Sequence, residues 1–305
     1  MSKIRYCLII IFTILFHTYS KSQGCSDAGF CTLKNFKPEL YDTLSEMKKN
    51  QVSVGVSGGK ADYSITIINY FLEYTRALNR KLNINTKVTW MSQSGNDITS
   101  SDFSDIYFTF NYSILKSTKI TVGTKLPLND ANKKNSNGLS LPMDYQSSLG
   151  TIDLIVGIAH ESEHFQYVLA LQKPLTQNKN EFTPGRQEAN SILRTFQSTN
   201  KYKRSGDILL RLSYPFKINN KNTIIPSLLP IYHLKDDQFL TNDNYYADIT
   251  GSQGLTLNGN VYFDYSYSPK SVFSLNLGVP LLTRKARPDG LTRKFVFTFN
   301  YTFSF

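Results

Sequence analysis

The sequence predicts an all-β protein: a membrane-spanning, antiparallel up-and-down β-barrel of about 12 strands, preceded by a short N-terminal segment that carries a helix and a disulfide. Three observations predict this fold class. Segments of alternating apolar and polar residues recur along the chain, short and long intervals alternate between them, and aromatic residues make up 13% of the 305 residues.

The alternation is clearest in the last segment, "FVFTFNYTFSF" at 295–305. Every odd-numbered residue there is Phe or Tyr, and the residues between them are Val, Thr, Asn, Thr and Ser. A period of two places one apolar and one polar face on a strand. The same period appears in "DIYFTFNYSIL" at 105–115 and "LTLNGNVYFDYSY" at 255–267.

This pattern predicts twelve strands. They lie at 51–58, 62–78, 82–93, 103–115, 119–127, 150–160, 164–173, 205–217, 223–235, 253–267, 271–282 and 291–305. The intervals 79–81, 116–118, 161–163, 218–222 and 268–270 are short, whereas 94–102, 128–149, 174–204, 236–252 and 283–290 are long. Outer-membrane barrels have short periplasmic turns and long extracellular loops, and a soluble sandwich has no reason to alternate in this way.

Strand length and aromatic content fit the same fold. A tilted strand needs about 9–11 residues to cross a bilayer. The 19 Tyr and 20 Phe are enough for aromatic girdles at both interfaces. The chain ends in Phe305 on the apolar face of its last strand. We therefore expect two partners for the barrel: outer-membrane lipid, and the barrel-assembly machinery that receives the C-terminal strand.

The first 22 residues predict a cleaved signal peptide. Lys3 and Arg5 precede an apolar run at 7–16, which is too short for a membrane-spanning helix, and small residues follow at 20–22. Cleavage would leave residues 23–50 as a periplasmic or plug segment and 51–305 as the barrel. The expected location is the outer membrane.

The charge excludes some partners and suggests others. Removing Lys3, Arg5 and Lys21 lowers the net charge from +11 to +8. Nucleic acid is a poor partner for an exported protein, whereas anionic lipid headgroups and lipopolysaccharide are expected ones. A simply solvated surface is the alternative. The predicted outer-loop cations are Lys133, Lys134, Lys179, Arg186, Arg194, Lys201, Lys203, Arg204, Arg284, Lys285 and Arg287.

Two cysteines remain in the exported chain, Cys25 and Cys31. A closely spaced pair in an exported protein predicts one local disulfide. The alternatives are a lipid-modified Cys25, which "SQG" fits poorly, and a metal site, which would need further ligands. Pro38 begins a short predicted amphipathic helix, which either enters the barrel as a plug or rests at its periplasmic mouth. A mobile leader is the remaining possibility.

The stretch "AHESEHFQY" contains His160-Glu-Ser-Glu-His164, which matches the zinc-protease pattern H-E-x-x-H. Zinc binding needs both histidines on one face of a helix, but the flanks alternate with a period of two. The pattern therefore spans a hairpin turn between two predicted strands. His233, the one histidine near an extracellular strand end, has no evident serine partner for a hydrolase. We expect no enzyme, no catalytic residue, no metal and no cofactor.

The polar faces of the strands predict the residues that line the lumen. These candidates are Glu73, Lys87, Asp105, Asn111, Lys119, Lys125, Asp153, Arg211 and Asp264. Charges of both signs indicate a hydrated or salt-bridged interior, and pairing that only holds the barrel rigid is an equal interpretation. Twelve strands give a narrower bore than open porins have.

The stretch at 125–160 resembles a region of the outer-membrane transporters named for the meta-pathway of phenol degradation. The likeness lies in Lys125-Leu126-Pro127 and in "LGTID" at 149–153, and "GCSDAGFCTL" is similar to the N-terminus of such proteins. The resemblance implies a relation to uptake channels for fatty acids and aromatic hydrocarbons, and it brings no catalytic motif.

Three functions follow from these observations. The first is an outer-membrane channel or transporter for passive movement of small solutes, hydrophobic ones among them. The second is a structural or adhesive barrel with a plugged lumen whose loops bind envelope polymers. The third is an outer-membrane hydrolase that would depend on His233.

Overall fold

The structure is a computed structural model that describes residues 30–38, 49–290 and 293–305. The predicted signal peptide, Cys25 and nearly all of the helix predicted after Pro38 lie outside the described residues. Cys31 is described, but without Cys25 the disulfide stays a prediction. No helix among the described residues is long and apolar enough to cross a membrane.

Fifteen strands run through the described residues. They are β1 Asn50–Lys60, β2 Thr66–Ala77, β3 Leu82–Gly95, β4 Ile98–Leu115, β5 Thr118–Pro127, β6 Asp153–Glu161, β7 Gln166–Pro174, β8 Asp207–Ser213, β9 Phe216–Lys217, β10 Asn222–His233, β11 Gln238–Leu240, β12 Tyr246–Asp248, β13 Gly254–Ser268, β14 Ser271–Leu282 and β15 Val296–Ser304. Short 3-10 turns lie at Phe30–Thr32, Lys34–Phe36, Asp62–Ser64, Met143–Tyr145, Pro184–Arg186 and Ile192–Thr195.

The strands close into a barrel. Each strand pairs antiparallel with the next in sequence, β8 and β9 together form one barrel strand against β10, and β10 pairs with β13. The last strand, β15, then pairs with β1 over nine residue pairs. The hairpin of β11 and β12 forms a separate sheet within one loop. The prediction of an all-β, closed 12-stranded antiparallel barrel is confirmed.

One predicted loop is wrong. The interval 94–102 is strand, except for a two-residue turn in which Asn96 and Asp97 have φ values of 54° and 61°. Asn and Asp tolerate this left-handed conformation better than other non-glycine residues, and it matches the twist of a hairpin. The polar residues around the turn suggested a loop because they lie on both faces of strands that extend past the apolar region.

The barrel has an apolar outer surface. Outward positions on β2 alternate with buried inward ones, so that Ile68, Tyr70 and Leu72 are exposed. Exposed aromatic side chains gather at the end with the short turns, where Tyr74, Tyr112, Phe165, Phe216, Tyr267 and Phe303 lie. Exposed aliphatic residues are prominent at the other end: Leu126, Leu175, Leu255, Leu281 and Leu282. Such a surface suits lipid rather than water.

Candidate functional site: a lumen closed at both ends

Residues 30–38 lie inside the barrel. The side chains of Cys31, Leu33 and Phe36 are at most 3% exposed. They form one apolar cluster with inward-facing residues of the barrel wall: Tyr107, Ile155, Val168, Ala170, Leu209 and Leu229. We call residues 30–38 the lumen segment. Its packing places the N-terminal part of the described chain among the strands rather than outside the barrel mouth.

A glycine of the wall makes room for the lumen segment. A Cβ atom at Gly157 would lie 2.5 Å from the ring of Phe36 and 2.9 Å from the Cβ atom of Ala170. Gly157 faces inward from β6, where a side chain of any size would occupy the space that the phenyl ring fills. The wall and the segment are therefore complementary in shape at this point.

Charged side chains of the barrel wall also contact the lumen segment. The Arg211 guanidinium donates to the carbonyl oxygens of Phe36 and, at 3.0 Å, of Cys31. Lys87 Nζ lies 2.9 Å from Thr32 Oγ1. The backbone N–H of Lys34 donates to a Glu73 carboxylate oxygen over 3.3 Å.

The ring of Phe71 adds a cation–π contact to this side. Lys87 Nζ lies 4.4 Å from its centroid, and Lys37 Nζ of the lumen segment lies 5.3 Å from it. Gly55 on β1 leaves space for the ring, since a side chain at that position would overlap it. A lysine above a partly desolvated ring gains about 1–2 kcal/mol.

The lumen therefore has two unlike walls. Strands β2 to β5 present polar inward residues, including Asn69, Glu73, Asn85, Lys87, Thr109 and Asn111. Around the lumen segment, strands β6, β7, β8 and β10 present, besides Arg211, a mainly apolar set: Ile155, Gly157, Val168, Ala170, Leu209, Ile225 and Leu229. The polar faces of the strands predicted a polar interior throughout, and this apolar wall corrects that prediction. Residues apolar on both faces are typical of strands covered on both sides.

The predicted lumen residues fall into three levels. Glu73, Lys87 and Arg211 surround the lumen segment, as described above. The second level lies nearer the short turns and comprises Asn111, Lys119 and Asp264. Asn111 accepts a 2.8 Å hydrogen bond from Thr121. Their role toward a solute stays a prediction.

The third level lies at the outer ends of the strands. Lys125 and Asp153 form a fully buried ion pair with 3.0 Å between Nζ and the carboxylate. Asp153 also accepts hydrogen bonds from Thr151, at 2.6 Å, and from Gln172. Asp105 accepts a 2.7 Å hydrogen bond from Ser148. At this level the ion pair of Lys125 with Asp153 joins neighbouring strands β5 and β6.

The long loops fold over the outer mouth. Two buried apolar clusters join them to one another and to strand ends: Ala61, Ile65, Ile67, Met91, Leu141, Tyr145, Phe182, Leu193 and Phe196 in one, and Ala131, Met143, Leu149, Tyr202 and Ile249 in the other. We call the loops at 128–152, 175–206, 234–253 and 283–290 the outer cap. A cap with its own core is an ordered layer, not a set of solvated loops.

A buried polar network joins the cap to the barrel. His233 lies with Nδ1 2.7 Å from an Asp207 carboxylate oxygen and Nε2 2.8 Å from one of Asp237. Asp237 also accepts from the Tyr202 hydroxyl at 2.7 Å, and Arg204 pairs with Asp207. Because both ring nitrogens of His233 face carboxylates, neither is available to activate a nucleophile, so this geometry does not serve a hydrolase.

Two carboxyl groups of the cap have shifted pKa values of opposite sign. Burial alone would raise the pKa of Asp289, but the guanidinium groups of Arg284 and Arg204 hold it below its usual range. Burial, together with the carboxylates of Asp62 and Asp289, raises the pKa of Asp144 to about 7, against the lowering by a backbone hydrogen bond and by Arg287. Asp144 is therefore a cap group whose charge changes near neutral pH.

Several predicted loop cations are paired within the cap or with residues at the strand ends. Lys133 lies 3.8 Å from Asp102, and Lys134 and Lys201 lie 3.7 and 3.0 Å from Glu181. Arg204, Arg284 and Arg287 pair with Asp207, Asp289 and Asp62. Lys179, Arg186 and Arg194 are exposed. The basic loops thus supply much of their charge to internal pairs.

The H-E-x-x-H pattern lies on a hairpin turn. β6 ends at Glu161 and β7 begins at Gln166, and the backbone N–H of Ser162 donates to the Phe165 carbonyl. His160 Nδ1 lies 2.9 Å from Thr118 Oγ1. The turn prediction is confirmed. Within the described ranges, no group of three or more His, Cys, Asp and Glu is placed to hold a metal ion.

The barrel is similar to an outer-membrane channel from Pseudomonas putida F1, with 14% identity, a TM-score of 0.60, and coverage of 88% of this chain and 100% of that one. The KdgM porin is more distant, at 8% identity, TM-score 0.43 and coverage of 83% and 99%. The CymD monoaromatic hydrocarbon channel has 10% identity, TM-score 0.42 and coverage of 85% and 89%. No protein-family model and no curated protein matches the sequence. The first similarity shows a shared barrel fold.

Proposed function

We propose that the protein is an outer-membrane channel for small solutes whose resting lumen is closed by the lumen segment. The observation that carries this proposal is the position of residues 30–38, which lie inside the barrel between a polar and an apolar wall. A barrel that served only as a rigid scaffold would need no wall shaped around a separate segment, such as the recess at Gly157.

The two walls also suit the proposed solutes. A passage with apolar residues on one side and amides and charges on the other accepts molecules that have an apolar body and a polar end. This agrees with the resemblance to transporters of the phenol meta-pathway type, which belongs to the proposal. Passive movement of these solutes is part of the same proposal.

The surroundings of the barrel are part of the same proposal. Its apolar outer surface would face outer-membrane lipid, the exposed Lys179, Arg186 and Arg194 would contact lipopolysaccharide phosphates, and the strand ending at Phe305 would be received by the barrel-assembly machinery. Residues 23–50 would form a periplasmic leader of which residues 30–38 enter the lumen.

Deletion of residues 23–48 tests the channel. The full chain and the deletion variant are folded, checked by heat-modifiable migration on gels, and inserted into planar bilayers. We expect at least a tenfold larger conductance for the deletion variant, because the segment fills the bore. Two folded barrels that both pass no ions would refute the channel and favour the second candidate, a structural barrel closed by its outer cap.

A further inference from the structure

The most unusual group in the lumen is the guanidinium of Arg211. Its side chain is 1% exposed, and its hydrogen-bond partners in the described residues are two backbone carbonyl oxygens of the lumen segment. Its Nε atom has no hydrogen-bond partner. The ring of Tyr262, 5.8 Å from the guanidinium carbon, is its other neighbour of note.

Buried charges in proteins are normally neutralised by an opposite charge. Two other buried cations of the barrel interior and cap follow this rule: Lys125 pairs with Asp153, and Arg204 with Asp207. Arg211 differs, because its partners are neutral carbonyl oxygens where a carboxylate would be expected. These oxygens belong to the lumen segment, which is not part of the barrel wall. Carbonyls bind a guanidinium more weakly than an anion does.

Phe36 contacts both Arg211 and the apolar wall. Its carbonyl oxygen accepts from Arg211, while its ring lies in the recess at Gly157 beside Ala170. Leu209, two residues from Arg211 on the same strand face, belongs to the same apolar cluster. One residue of the lumen segment thus presents an aromatic ring to the apolar wall and an oxygen acceptor to the cation.

We propose that Arg211 and the apolar wall form a binding site for organic monocarboxylates with an aromatic or similarly compact apolar body, and that Phe36 occupies this site at rest. A carboxylate would replace the two carbonyl oxygens on Arg211, and its ring would replace the phenyl group of Phe36. Binding and release of the lumen segment are then coupled, since both occupants need the same space. This inference names the solute class of the proposed channel. It rests on the proposed function only in taking the bound acid to be a solute that the channel carries.

The probe for this site is radiolabelled 3-phenylpropanoate, which carries a phenyl ring and a carboxylate at the spacing of a phenylalanine residue. Equilibrium dialysis against the folded full chain should give saturable binding. Arg211→Gln should weaken it by about tenfold or more, because a charge-assisted hydrogen bond is lost. Phe36→Ala should strengthen it several-fold, because the competing ring is removed. Arg80→Gln, an exposed turn arginine, is the matched control and should bind as the wild type does.

Two analogues keep the test decisive if Arg211→Gln fails to fold. Labelled 3-phenylpropanamide has the ring without the charge, and propanoate has the charge without the ring. Both should bind wild-type protein at least tenfold more weakly than the probe. Equal binding of acid and amide, unaltered binding in folded Arg211→Gln, or no gain in Phe36→Ala would each overturn the proposal. Channel failure is separate: it would appear as absent conductance in the 23–48 deletion even when the probe binds.

Discussion

The outer cap and the lumen segment are held to the barrel differently. The outer cap is joined to the strand ends by ion pairs and hydrogen bonds among buried groups, with His233 between Asp207 and Asp237. The lumen segment is held by apolar packing and by wall cations that donate to its neutral oxygens. Breaking the first separates buried opposite charges, whereas releasing the second removes only neutral acceptors from Arg211 and Lys87 and exposes apolar surface. The cap is therefore a fixed part of the fold, and the segment is the part that can leave.

The largest expected effect comes from breaking the cap. Asp207→Asn removes the carboxylate that faces both His233 and Arg204, and leaves two buried cations without their shared anion. We expect the free energy of unfolding to fall by about 3–5 kcal/mol. Urea titration followed by the folded and unfolded gel bands measures it. Asp243→Asn, an exposed loop position, is the matched control and should change stability by less than about 0.5 kcal/mol.

At the lumen segment we expect a smaller change in stability than at the outer cap, but a large change in conductance. Gly157→Leu fills the recess of Phe36 and should displace the lumen segment. Conductance in planar bilayers should rise toward that of the 23–48 deletion, while the free energy of unfolding from urea titration falls by only about 1 kcal/mol, since only local apolar contacts are lost. Gly185→Leu, at a loop position with open space around it, should leave both measurements unchanged. A closed Gly157→Leu barrel would mean that the segment is held as firmly as the cap.

The smallest effect is a pH dependence of the cap. The pKa of Asp144 is about 7 in the folded protein and near 4 when the carboxyl is free in the unfolded chain. The folded state thus binds the proton more tightly, and this contribution to stability is present below about pH 4 and is lost as the pH rises through 7.

We expect the free energy of unfolding to be about 1 kcal/mol higher at pH 5 than at pH 8 from this group, because the partly exposed carboxyl is screened by solvent. Asp144→Asn should abolish that difference between the two pH values. A variant with an unchanged pH profile would place the titration elsewhere in the cap.

Most of the barrel could be predicted from the sequence because a strand pattern is local. The period of two at 255–267 and 295–305 identifies the outward face directly, and the short polar intervals mark the turns. The same local reasoning failed at Asn96 and Asp97, where a two-residue turn looked like a loop because strands that extend past the apolar part of the barrel carry polar residues on both faces.

The site was harder to predict. The apolar wall left one signal, the apolar residues on both faces of "LIVGIA" at 154–159, where Ile155 and Gly157 face inward. The remaining contacts join distant parts of the chain: Arg211 and Phe36 are 175 residues apart, and His233 and Asp207 are 26 apart. No periodicity encodes such pairs. Phe36 gave no signal at all, since a single aromatic residue in a short leader has no pattern around it.

The pairing of β1 with β15 has a consequence for assembly of the barrel. The strand that completes the ladder is β15, and its partner is β1, the first of the described strands. Until these two pair, the sheet carries two rows of unpaired backbone groups, one at each edge. Pairing of β15 with β1 is therefore the step that satisfies both edges at once. A variant that lacks β15 should keep both rows unpaired and should not show the heat-modifiable migration of a closed barrel.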